Sequence, residues 1–204
     1  MKLHTLLSVA DFERRAQALL PRAVLGYVNG GTEDGLTSQA NRDALRAVQF
    51  RPKGLVGVAE RSQRVTLWGR SYAHPFGIAP MGVTAMCRHR CEQDLALAAA
   101  RHGRVLAAVP RDFPVLIDGG FRRGTDILKA MALGARMVFL GRAMLYGAAV
   151  AGQAGVARVI DILGTEIDRN LGLLGCPDVN ALDQDFIVRL RAGHPGMQAG
   201  YQTL

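Results

Sequence analysis

Pro114-Val115-Leu116-Ile117-Asp118-Gly119-Gly120-Phe121-Arg122-Arg123-Gly124 is the stretch that decides the fold. Its first half is a short, unbroken apolar run; its second half is Asp-Gly-Gly followed by two arginines. An apolar run without polar alternation, closed by glycine, is the pattern of a strand buried on both faces. Thr125 or Asp126 is placed to cap a helix that runs to Leu133 and closes at Gly134. Ala135-Arg136-Met137-Val138-Phe139-Leu140-Gly141-Arg142 then repeats the pattern, a second apolar strand ending in Gly-Arg. Strand, glycine turn, helix and strand in succession predict an α/β chain with a parallel sheet covered by helices.

Outward from this core the chain reads the same way. Phe76 to Val83 predicts another buried strand and a loop, and residues 92–102 an Ala- and Leu-rich helix. Arg64 to Arg70 alternates and reaches a glycine, which predicts one short strand. Gly155 to Leu174 predicts a long amphipathic helix ending at Gly175. At the other end, Ser8 is placed to cap a helix over residues 9–20 with Asp11 in its first turn. Pro21 opens a short helix to about Tyr27, broken at Asn29-Gly30-Gly31, and residues 33–47 are helical again. Phe50 to Val56 is irregular. Residues 1–190 are expected to form one domain, and the Gly- and Gln-rich residues 191–204 a frayed tail.

Composition narrows the function classes. Hydrophobic residues make up 49% and charged residues 21% of the 204, which is ordinary globular usage. No apolar run reaches the 18 or so residues of a membrane helix. The first ten residues are too short and too soon acidic for a secretory leader, so a cytoplasmic location is expected. Three cysteines argue against a disulfide framework. Cys87-Arg88-His89-Arg90-Cys91 is flanked by arginines that repel a cation, so no metal is expected. The net charge is +8, carried almost entirely by arginine. These arginines are scattered and interleaved with few aromatics, which argues against nucleic acid as a partner and for a few anion-binding side chains on a solvated surface.

The two glycine-arginine segments fall where chemistry is expected. In βα units the ends of consecutive strands share the carboxyl edge of the sheet, where ligands bind. Glycines there let backbone N–H groups approach an anion, and Arg122, Arg123 or Arg142 can add charge-assisted hydrogen bonds. Turn glycines and solvated arginines are the bland alternative. The recurrence of the motif on successive strands favours a phosphate site.

Ile117-Asp118-Gly119-Gly120-Phe121-Arg122-Arg123-Gly124-Thr125-Asp126, with Leu133-Gly134-Ala135 and Gly141-Arg142, closely resembles the FMN-dependent 2-hydroxy-acid dehydrogenases and oxidases, the family of L-lactate dehydrogenase, glycolate oxidase and mandelate dehydrogenase. Leu20-Pro21, Tyr27, Gly31, Glu33-Asp34, Asn41-Arg42, Phe50-Arg51-Pro52 and Ile78-Ala79-Pro80-Met81-Gly82 follow in the family's order, so the resemblance spans about residues 6–187. It implies a TIM (β/α)₈ barrel with an N-terminal helical extension, FMN as cofactor and a small 2-hydroxy acid as substrate, oxidised to the 2-oxo acid by hydride transfer to flavin. Residue by residue, Pro80, Met81 and Gly82 resemble the flavin-lining segment after strand one. Asp118, Gly119, Gly120, Phe121 and Arg122 resemble the segment after strand seven that holds ribityl and phosphate. Gly141 and Arg142 resemble the phosphate contacts after strand eight, and Tyr27 a tyrosine that binds the substrate carboxylate. Gly82 leaves room on the substrate side, a hint toward bulkier hydroxy acids.

The same resemblance exposes a gap. The family's catalytic histidine and substrate arginine lie in a His-Gly-Gly-Arg run after strand six, and a lysine on strand five supports the flavin. His102-Gly103-Arg104 imitates that run but ends a helix only 16 residues before Asp118, too few for a loop, a helix and a strand. Lys129 lies in a helix. No residue is therefore assigned as the base. The chain passes from helix one into the end of helix six at about Val105 to Pro110, so the barrel is expected to be incomplete, keeping strands one, seven and eight. Two sheet orders follow. Keeping strand eight between seven and one requires a left-handed crossover, against the right hand of about 98% of such connections; the order one-seven-eight keeps the hand but separates eight from one. Either leaves open edges, and self-association or a homo-oligomer is expected. A non-catalytic FMN- or phosphate-binding remnant is the alternative to an impaired enzyme, and a basic nucleic-acid module is the third reading.

Overall fold

Ser8 starts the first helix as expected. Its Oγ accepts from the Asp11 N–H at 3.3 Å while Asp11 Oδ2 accepts from the Leu7 and Ser8 N–H groups at 2.9 and 2.8 Å. This reciprocal cap satisfies donors that a helix start leaves without partners. In the computed structural model, which describes residues 2–31, 34–82, 84–91, 93–95, 98, 114–190 and 201–203, α1 spans Val9–Leu19, α2 Arg22–Asn29 and α3 Leu36–Ala47.

The sheet that carries the site has three strands, β4 (Phe76–Ile78), β5 (Leu116–Asp118) and β6 (Met137–Leu140). Both pairings are parallel, in the order β4-β6-β5. Ile78 sits beside Leu140, and Asp118 beside Phe139, so the three strands end together. Of the two orders open to the sequence, the structure has the one that keeps strand eight in the centre. The crossover itself, with His102 and Val105 to Pro110, lies outside the described residues. Of the helix expected over residues 92–102, Gln93, Asp94, Leu95 and Ala98 are helical, as is Cys91 just before them.

Helix α4 (Gly124–Ala132) follows β5, and α5 (Arg142–Leu174) follows β6. The cap of α4 falls at Arg123, two or three residues earlier than expected, because Asp126 reaches back from the first turn to accept the Arg122 and Arg123 N–H groups, each at 3.0 Å. The long C-terminal helix begins at Arg142 rather than Gly155. It is broken at Ala151 and Gly152, whose backbone is not helical, and its second part matches the expected helix. Gly175 closes it in the left-handed conformation. The helix is long and apolar enough to cross a membrane by length and composition alone, but it is a core helix: Val156, Val159, Leu163, Ile167 and Leu171 are fully buried, and α1, with Val9, Phe12 and Ala16 buried, packs along it.

Two expectations are corrected. Residues 64–70 form a hairpin instead of one strand: β2 (Val65–Leu67) and β3 (Arg70–Tyr72) pair antiparallel around Trp68 and Gly69. Both turn residues have positive φ, 50° and 73°, as a two-residue hairpin requires, so Gly69 is a turn residue and not a strand end. Phe50 belongs to a strand, β1 (Val48–Phe50), which pairs antiparallel with β7 (Ile187–Leu190). β8 (Tyr201–Thr203) pairs antiparallel with β7.

Candidate functional site

The ends of β4, β5 and β6 open onto a cavity of about 420 Å³. Its lining contains Tyr27 from α2, Pro80, Met81 and Gly82 after β4, Asp118 through Arg122 at the end of β5, and Gly141 and Arg142 after β6. The structure thus brings together in one place every residue that the sequence singled out for a flavin or its substrate. Phe139, Leu140 and Leu145 add apolar wall.

Local sequence shapes the cavity. Gly119 and Gly120 have φ of 118° and 72°, conformations that a side chain rarely tolerates, so the backbone turns sharply as β5 ends. A Cβ on Gly141 would come within 3.4 Å of Met81 Sδ, so glycine keeps the space between those two segments clear. Gly141 is also the N-cap of α5 and has no side chain to cap it, so the positive end of that helix starts uncapped at the cavity lining.

The two arginines of Arg122-Arg123 diverge. Arg123 turns away, its Nε 3.0 Å from Glu166 Oε1. Arg122 lines the cavity with a largely buried side chain and, among the described residues, no hydrogen-bonded carboxylate; Glu13 stands 3.9 Å from its Nε. Burial holds the Arg122 guanidinium below its ordinary range, with Arg142 and Arg42 acting in the same direction and Tyr146 and Glu13 opposing them. Two guanidinium groups facing one glycine turn form a site that gains by taking a phosphate. The exposed Asp118 carboxylate is an acceptor for hydroxyl groups. These groups fit the phosphate and polyol end of FMN, and Pro80 to Gly82 with Tyr27 form the other side. The cavity lining contains no histidine or lysine among the described residues. Lys129 lies in α4 and donates from Nζ to the Leu45 carbonyl at 2.8 Å, away from the cavity. No group of three or more metal-ligating side chains occurs among the described residues.

Sequence reasoning missed three residues behind Arg122. Tyr146 of α5 is buried, and its hydroxyl lies 3.1 Å from Glu13 Oε1 and 2.6 Å from Asn29 Oδ1. The Tyr146 spacing from Arg142, one helical turn, was the only local signal.

Comparison with known proteins agrees with this geometry. The chain matches the sequence model of the family described as FMN-dependent dehydrogenase in two segments, residues 16–107 and 103–189. The segments meet where the chain passes from the first barrel unit to the last two, which fits an internal deletion. (S)-Mandelate dehydrogenase of Pseudomonas putida is 57% identical over 74 residues, covering 36% of this chain and 19% of that protein. An L-lactate oxidase of Nostoc sp. is 48% identical over 83 residues, covering 41% of this chain and 23% of that protein. The chain thus spans about a fifth of the length of these curated relatives in matched sequence. Among solved structures, a soluble mutant of the membrane-associated (S)-mandelate dehydrogenase of Pseudomonas putida superposes with a TM-score of 0.83 at 23% identity, over 89% of this chain and 99% of that one. A flavocytochrome b2 variant gives 0.82 at 18% identity, over 91% and 87%. These likenesses establish an incomplete α/β barrel, and the two family segments together cover most of the sequence: the chain belongs to the FMN-dependent dehydrogenase family.

Proposed function

We propose that the chain binds FMN in the cavity at the ends of β4, β5 and β6, and that its inherited reaction, oxidation of an L-2-hydroxy acid to the 2-oxo acid, is impaired. The convergence of all eleven sequence-selected residues on one cavity carries this reading. Arg122 and Arg142 hold the phosphate by charge-assisted hydrogen bonds, with N–H groups around Gly119, Gly120 and Gly141 at close approach. Asp118 accepts from ribityl hydroxyls. Pro80, Met81 and Gly82 line the ring, and Phe121 packs behind the loop. When bound, FMN supplies a hydride acceptor.

Tyr27, about half exposed at the cavity mouth, donates its hydroxyl to the carboxylate of a small 2-hydroxy acid. The described lining offers no imidazole to take the hydroxyl proton, and loss of a general base costs about 10²–10⁴ in rate. The compartment that this reading carries is the cytoplasm, or the inner membrane face in view of the membrane-associated relative.

The test is the visible spectrum of the purified chain after FMN is added and the excess removed, followed by anaerobic lactate, glycolate or mandelate. Retained flavin that bleaches slowly supports the whole reading. Retained flavin that none of these acids reduces leaves a binding remnant without turnover. A folded chain that keeps no flavin rejects the assignment.

A further inference from the structure

We propose that Glu13 and Asn29, joined through the buried Tyr146, form a clamp that orients the Arg122 guanidinium for a phosphate and ties it to α2, the helix that carries Tyr27. The inference rests on the phosphate assignment above and adds residues that no strand-end motif contains.

The geometry is specific. Arg122 Nε faces Glu13 Oε2 at 3.9 Å, and its Cζ lies 5.5 Å from the centre of the Tyr146 ring. With Nε near Glu13 and Cζ held near the phenol ring, the terminal Nη groups are the part of Arg122 left to serve the cavity that it lines. The Tyr146 side chain is 1% exposed, yet it carries a polar atom that phenylalanine would lack. That hydroxyl joins side chains from two other helices, Glu13 of α1 and Asn29 of α2. One phenolic proton cannot serve two acceptors. The arrangement that satisfies all three groups has Tyr146 donating to the Glu13 carboxylate and the Asn29 amide turned so that Nδ2 donates to the phenol oxygen. Burial, the largest influence, keeps the phenol protonated, pushed up to about 12, so the donor persists at neutral pH. Asn29 stands two residues after Tyr27 on the same helix. Arg142, the second phosphate arginine, stands one turn before Tyr146. The clamp therefore joins the Arg122 loop and α5, which carry the two phosphate arginines, to α2, the helix that carries Tyr27.

The experiment compares FMN with riboflavin, which lacks the phosphate, on wild type, Y146F and E13Q. Y146F keeps the ring beneath Arg122 and removes the hydroxyl; E13Q keeps the shape and removes the charge. Each variant is expected to raise the Kd for FMN about ten-fold, the scale of one misaligned charge-assisted hydrogen bond, and to leave that for riboflavin within two-fold. Equal weakening of both ligands would mean a packing role and overturn the proposal. Inorganic phosphate at matched ionic strength separates the clamp from the flavin reading. It should raise the wild-type Tm and lose that effect in both variants, whether or not FMN is retained. A wild type stabilised by phosphate that keeps no flavin sinks only the flavin reading; a wild type that responds to neither sinks both. Should Y146F fail to fold, E13Q, at a partly exposed position, carries the same comparison.

Discussion

Gly124 donates its backbone N–H to Glu166 Oε2 at 2.6 Å, across 42 residues of sequence. The other carboxylate oxygen takes the Arg123 guanidinium at 3.0 Å. Glu166 thereby pins the end of the Asp118–Arg123 loop to α5, and it explains why one arginine of the pair faces away from the cavity. The approach is so close that a Cβ on Gly124 would lie 2.7 Å from Glu166 Cβ and 2.8 Å from the Ile167 nitrogen. Gly124→Ala is expected to cost about 1–3 kcal/mol through backbone displacement. A denaturant melt checks it; an unchanged midpoint would show that α4 and α5 slide apart freely.

Arg142→Ala should weaken FMN by roughly ten- to a hundred-fold, the loss of one charge-assisted contact to phosphate. Riboflavin affinity should barely change. Fluorescence titration of both flavins reads the difference, and parallel losses would place Arg142 in the scaffold.

Arg61 meets Asp168 side-on, Nε to Oδ1 at 2.9 Å and Nη2 to Oδ2 at 2.8 Å. Hydrogen bonding by Arg61 holds the Asp168 carboxyl below its ordinary value of 3.8, against the pull of partial burial. A carboxyl depressed on folding stabilises above its ordinary value, and that contribution disappears as pH falls through the folded value. Asp168 is 45% exposed, so solvent and salt screen the pair. Melting temperatures from neutral pH to below 3.8 should therefore fall slightly more in wild type than in Asp168→Asn, with the gap shrinking in high salt. Identical acid profiles would assign the pair no role in stability.

β4 and β5 are the outer strands of their sheet, each paired on one side among the described residues. Val115 and Leu116, which a closed barrel would bury, are 58% and 36% exposed. Concentration-dependent association is expected in sedimentation, and Val115→Lys should shift it toward monomer. A monodisperse wild-type monomer at high concentration would refute this.

How far the sequence spoke for itself varies by element. The apolar runs ending at Asp118 and Gly141 were legible because a strand buried on both faces needs no alternation and its glycine end needs a turn. Ser8 with Asp11 was legible because a cap is chemistry within one turn. The 64–70 hairpin was not, because Trp68 in a left-handed turn position is an expensive choice that only its packing explains. The Val48–Phe50 strand was not, because its partner Ile187 is far along the chain.

The sequence by itself determined the α/β class, a local pattern of glycine and apolar residues, and through its motifs the family, whose resemblance pointed to the eleven residues around the cavity. Only the tertiary structure decided the central place of Met137–Leu140 in its sheet, the turning of Arg123 to Glu166, and the Tyr146 clamp behind Arg122. Those depend on which distant groups can neutralise a buried charge or fill a buried polar atom's bonding capacity, and such partners carry no mark in the residues beside them.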